Sequence, residues 1–75
     1  MSSIDLKRER IYRIIDFKKV LKAERGIYRS SQTIYLWMKN GVESVNGVVK
    51  LERVTLCGAW HTSIEAFDRF VEAQS

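Results

Sequence analysis

The sequence has no proline, one cysteine (Cys57) and one histidine (His61). A lone cysteine excludes an internal disulfide and fits a reducing compartment, so a cytoplasmic protein is expected. Cys57 and His61 cannot make a zinc centre without carboxylates, which the sequence does not group around them. Nor do they make a nucleophile–base pair, because no third group orients them. No apolar run approaches the roughly 18 residues of a membrane span, and no signal-peptide core is visible. A glycine-rich phosphate loop is also missing. Seventy-five residues make one domain, 1–75, with no room for a separate catalytic unit. The expectation is a non-enzymatic protein with no metal, cofactor, small-molecule substrate or membrane partner.

What is present is the composition of a folded chain, 45% hydrophobic and 29% charged, well above the apolar content of a disordered tail. A core this small supplies no more than about 3 to 5 kcal/mol net. The formal net charge is +4, and it is unevenly spread. Residues 1–40 hold ten Lys/Arg against four Asp/Glu, giving +6, whereas residues 41–75 hold three against five, giving −2. A basic half suits a polyanionic partner, since each neutralised phosphate releases condensed counterions.

Gly26, Gly41, Gly47 and Gly58 punctuate the chain. Residues 1–13 read as an ordered arm or a short helix. Asp16 has the chemistry of an N-cap, flanked by Ile15 and Val20 at staple spacing, which predicts a helix over Phe17 to Arg25. Phe17, Val20, Leu21 and Glu24 share one face of it; Lys18, Lys19 and Lys22 share the other. After the short connection Gly26 to Arg29, Ser30 or Ser31 caps a second helix through Gln32 to Asn40, ended by Gly41. Ile34, Trp37 and Met38 form its inward arc. Gln32, Tyr35, Leu36 and Lys39 face outward. The β-branched run from Val48 through Leu56 predicts a strand, Cys57-Gly58 a turn and Ala59 to His61 the return strand. Thr62-Ser63-Ile64-Glu65 has capping-box spacing. It opens a last helix with Ile64, Phe67, Phe70 and Val71 inward and Glu65, Asp68, Arg69 and Glu72 in water. Trp37 and Trp60, at apolar positions, read as core.

The predicted fold class is therefore α+β, a small winged helix-turn-helix with a hairpin wing and a C-terminal helix. Such a unit fits B-DNA, whose major groove of about 12 Å admits one helix while the hairpin lies along the flank. Gln32 has the groups to pair with adenine, and Lys39 to reach guanine or phosphate. Ser30 and Ser31 can bond phosphate, and Tyr35 offers a hydroxyl and a ring. Lys18, Lys19, Lys22, Arg25 and Arg29 are candidate phosphate contacts, with Thr55 and His61 on the wing.

The run Ser31 to Val42, with its Thr33-Ile34-Tyr35-Leu36-Trp37 block, resembles the recognition helix of excisionase-like, MerR-type winged helix-turn-helix proteins. The segments Val49-Lys50-Leu51-Glu52 and Gly58 to Phe70 are similar to the wing and last helix of a small uncharacterised bacterial family of that layout. Ile4-Asp5-Leu6 and Glu9-Arg10 resemble that family's start. The resemblance implies a double-stranded DNA-binding accessory factor or small repressor of a mobile element, acting in recombination or transcription regulation, with Gln32, Tyr35, Leu36 and Lys39 facing the groove and the Thr55 to His61 hairpin touching backbone. It would work in the cytoplasm at the nucleoid of a bacterial or phage-infected cell, with an integrase or a second copy of itself as companion. Two departures stand against the pattern. Leu36 occupies a place where such proteins often carry arginine, and Thr55, Cys57, Ala59 and His61 replace a basic wing with a Gly-Gly turn. Missing arginines remove phosphate contacts and the commonest guanine contact. The alternative is an interaction module on the same fold that docks an integrase, polymerase or replication protein through Leu36 and Tyr35.

Overall fold

The computed structural model describes residues 4–75; residues 1–3 of the expected arm lie outside the described residues. From residue 4 onward the arm is not a helix. Asp5 O accepts hydrogen bonds from the backbone of Arg8 and Glu9, closing a single turn. The chain then extends into a short strand, β1 (Tyr12–Arg13).

The first helix, α1, spans Ile14–Arg25 and leaves directly from that strand, three residues earlier than the sequence predicts. Its N-cap is Arg13, which makes no side-chain cap bond. Asp16 sits instead in the first turn, where its charge complements the helix dipole. Ile15 is 58% exposed, so the anticipated staple to Val20 does not form. Strand pairing of β1 overrides the local capping signal. The helix closes at Gly26 in the left-handed conformation, its N–H bonded to Lys22 O.

The second helix, α2 (Ser31–Lys39), is capped by Ser30, whose Oγ accepts the Thr33 N–H at 3.2 Å. Asn40 and Gly41 N–H both bond Leu36 O, ending it. Gly41 is obligatory: its φ is +81°, and a Cβ there would lie 2.6 Å from Val49 O.

Val49 belongs to a hairpin that the sequence reading did not resolve, β2 (Val42–Ser44) with β3 (Gly47–Val49). Val48 and Val49 therefore do not extend the later strand. That strand, β4 (Val54–Leu56), turns at Cys57 and Gly58, both at positive φ (51° and 74°), into β5 (Ala59–Thr62). Two successive left-handed residues match the twist of a tight hairpin. The strand β5 is central, pairing antiparallel with β1 through Tyr12↔Thr62 and Arg13↔His61 and with β4 through Thr55↔Trp60.

The third helix, α3 (Ile64–Ala73), is capped by Ser63, whose Oγ accepts the Ala66 N–H at 2.9 Å. Thr62 is therefore not the cap. It ends β5, buried, and its Oγ1 donates to Glu52 O at 2.8 Å. The observed architecture is α+β, with three helices and two antiparallel sheets among the described residues.

The core joins Phe17 and Leu21 of α1, Ile34 and Met38 of α2, Leu51, and Ile64, Ala66, Phe67 and Phe70 of α3. Trp37 packs at its margin, 6.0 Å from the Phe67 ring and 5.4 Å from Phe70. Val71 is 46% exposed and does not belong to the stripe; Ala66 does. Arg69 is not in water either. Its Nε and Nη2 donate to both Glu52 oxygens at 3.0 and 2.8 Å, and Nη2 also reaches Glu9 at 3.1 Å. Ser63 Oγ donates to the same Glu9 oxygen at 2.6 Å. The arm is thereby tied to α3, and among the described residues no buried side-chain polar atom lacks a partner.

The Glu9 side chain is only 9% exposed. Burial pushes its carboxyl up, but hydrogen bonds from Arg69, Ser63 and the Asp5 N–H outweigh burial and hold it below the usual carboxylate range. A depressed folded pKa stabilises the fold fully above the unfolded value of about 4.3, and that stability is lost as pH falls through the folded value. Circular-dichroism melts of the wild type should therefore show a falling Tm below about pH 4.3. Glu9→Gln should cost about 1 to 3 kcal/mol at pH 7 and show a shallower acid limb; an unchanged Tm at pH 7 would show that the clasp contributes nothing.

Candidate nucleic-acid interface

The exposed face of α2 carries Gln32, Tyr35, Leu36 and Lys39, as helical spacing requires once Ile34 and Met38 are buried. Leu36 is 40% exposed. Tyr35 is less free than its position suggests, since its ring stacks on Trp60 of β5, centroids 5.0 Å apart and planes 14° from parallel. The same indole carries the Arg53 guanidinium, with Cζ 3.9 Å from the ring centroid. Lys39 Nζ lies 5.9 Å from the Tyr35 ring. Trp60 is therefore half-buried at the boundary between the β4–β5 hairpin and α2. Beside it open two shallow clefts of about 360 and 250 Å³, one lined by Arg13, Ile14, Ile15, Ala59 and Trp60, the other by Ile14, Tyr35, Gly58 and Trp60.

Strand alternation divides the hairpin residues. Thr55 lies directly across from Trp60 and shares its face, whereas His61 pairs with Val54 and Arg13 and points to the opposite face. A ring nitrogen of His61, Nδ1, is 3.0 Å from Ala59 O. Thr55 and His61 thus do not form one contact surface, although both lie on the predicted wing.

The basic residues divide too. Lys19 and Lys22 are exposed and Lys18 is partly so; Lys22 Nζ lies 5.7 Å from the exposed Tyr28 ring. Arg25 has its charge already balanced, donating from Nε and Nη2 to both oxygens of Asp68 on α3 at 3.0 and 2.7 Å. Arg25 hydrogen bonding holds the Asp68 carboxyl below its ordinary range against an opposing effect of burial. Arg29 donates to Tyr28 O in the connection between the helices. Ser30 uses its hydroxyl as the cap of α2, with Thr33 Oγ1 a further 3.0 Å neighbour, and Ser31 is half-buried.

The sequence reading missed Arg53 and the role of Trp60. The signal was available, because Arg53, Thr55 and Trp60 share a face once the Cys57-Gly58 turn sets the register. No helix among the described residues is long and apolar enough to cross a membrane. Comparison with protein-family models, characterised proteins and solved structures finds no match.

The two tryptophans should respond differently to truncation. Trp37→Ala removes contacts to Phe67 and Phe70 and should cost about 3 to 5 kcal/mol, close to the whole stability of so small a domain. Trp60→Ala loses the stack with Tyr35 and Arg53 and its packing against the edge of the core but no contact with the Phe67–Phe70 pair, and should cost less, about 1 to 3 kcal/mol. Urea denaturation of both variants measures this; equal losses would place Trp60 in the core instead.

Proposed function

We propose that the chain is a double-stranded DNA-binding accessory or regulatory protein of excisionase type, built as a winged helix-turn-helix and acting by binding rather than catalysis. The observation that carries this reading is the docking of the β4–β5 hairpin beside the exposed face of α2 through the Tyr35–Trp60 stack. A helix of about 10 Å diameter enters a major groove of about 12 Å, and a hairpin fixed beside it reaches the neighbouring backbone. Gln32 and Lys39 supply the base-edge chemistry, while Lys18, Lys19 and Lys22, exposed or partly exposed on α1, supply sequence-independent attraction. The biological setting is a mobile element, with DNA recombination or transcription as output and an integrase or a second copy of the chain as companion at the nucleoid.

A second reading rests on one observation, the exposed Leu36 in the middle of the same helix face. An aliphatic side chain there suits a protein partner as well as a thymine methyl. Salt separates the two, because phosphate contacts weaken steeply with ionic strength and apolar contacts do not.

Fluorescence anisotropy with labelled duplexes tests the charge contribution. Changing Lys18, Lys19 and Lys22 together to Ala should weaken binding to every sequence about equally. It should also flatten the slope of log K against log salt by about 0.9 per lost phosphate contact. Unaltered affinity and slope would mean that these lysines are only solvated.

Sequence reading is tested on a site selected from random duplexes. Gln32→Ala should cost about 1 to 3 kcal/mol on that site and little on unrelated DNA, since a base-edge contact discriminates where a phosphate contact does not. If the folded Gln32 variant keeps full specificity while Leu36→Ala abolishes capture of a protein partner, α2 is a docking surface and the DNA reading fails.

A further inference from the structure

Arg53 immediately precedes β4, two residues before Thr55, and Thr55 is the cross-strand partner of Trp60. Alternation puts Arg53 on the same face as Trp60, one diagonal step away, within reach of a long side chain. The guanidinium takes that step and lies 3.9 Å from the indole centroid. Its neighbour Glu52 alternates to the other face and is held by Arg69 through two hydrogen bonds. Arg53 forms no ion pair among the described residues. It differs in this from Arg25 and Arg69, both of which are committed to carboxylates.

A guanidinium held over an aromatic ring by cation–π attraction still has N–H donors to offer, and its fork matches the paired oxygens of a phosphate. Stacking also removes much of the rotamer freedom that an exposed arginine would otherwise lose on binding. The indole that restrains Arg53 is itself fixed to α2 by Tyr35. The position of the guanidinium is therefore set relative to the helix face that carries Gln32 and Lys39.

We propose that Arg53, held over the Trp60 ring, is a phosphate-binding group for duplex DNA, registered against α2 by the Trp60–Tyr35 stack. Tyr35 is then a positioning residue rather than a base reader. This assignment rests on the DNA-binding reading above and supplies the wing arginine that Thr55, Cys57, Ala59 and His61 do not.

The test uses the full chain and random-sequence duplexes in anisotropy titrations over a range of salt. Arg53→Ala should weaken binding about tenfold on every sequence and lower the salt slope by about 0.9. Arg53→Lys should restore the slope but leave affinity about threefold or more below wild type, because a lysine keeps the charge and loses the planar stack and the bidentate fork. In a Trp60→Leu background that circular dichroism shows to be folded, adding Arg53→Ala should cost much less than in the wild type. Arg53→Ala binding as tightly and with the same slope as a DNA-binding wild type would overturn the assignment and leave the DNA reading intact. Arg53→Lys equal to wild type would overturn the role of the stack. Failure of the wild type itself to bind duplex at low salt would remove the DNA reading and this assignment together.

Discussion

The hydrogen bonding of β5 to two partners constrains nearly everything else in this small fold. On one edge it takes Tyr12 and Arg13, so that α1 leaves the sheet at Ile14. On the other it takes β4, which fixes Arg53 and Thr55 relative to Trp60. At its end Thr62 is buried and Ser63 becomes the cap of α3. One strand of four residues thereby sets where α1 starts, where α3 starts and which face of the hairpin meets α2.

Around that strand the apolar core and a polar clasp divide the labour. Phe67 of α3 packs against Phe17 of α1, and Phe67 and Phe70 both pack against Trp37 of α2, so a single helix closes the core over the other two. The clasp acts at longer range in sequence. Arg69 gathers Glu9 from the arm and Glu52 from the segment before β4, and the shared oxygen of Glu9 is completed by Ser63. A charged trio this enclosed is tolerable because each carboxylate has hydrogen-bond donors and the arginine fork is used on two of its nitrogens. It fixes the arm to α3, beside the packing of Ile4 and Tyr12 against the core.

The surface inherits its chemistry from these choices. Within the first forty residues Arg25 is spent on Asp68 of α3 and Arg8 lies 3.8 Å from Asp5, so the basic character of that half overstates what a polyanion would meet there. Arg53, from the net-acidic half, lies over Trp60 and has no ion pair among the described residues. The proposed interface therefore draws on both halves of the chain, and net charge by segment is a poor guide to which cations are available.

By itself the sequence determined the elements whose signals are local and strong. The α+β class, the capped amphipathic α2 with its inward Ile34 and Met38, the Cys57-Gly58 turn and the apolar face of α3 all follow from periodicity and turn chemistry within a few residues. The β2–β3 hairpin escaped because its three-residue strands are too short for alternation to register, although Gly47, at a φ of 97°, directly follows its Val45-Asn46 turn. Tertiary structure alone decided the rest. The start of α1 was set by pairing with β5 and not by Asp16; the fates of Arg25, Arg69 and Arg53 were set by which side chains arrived opposite them from 43, 17 and 7 positions away. Charge and aromatic identity are written in the sequence, but whether a cation is neutralised or left free to act depends on distances that only the packed fold creates.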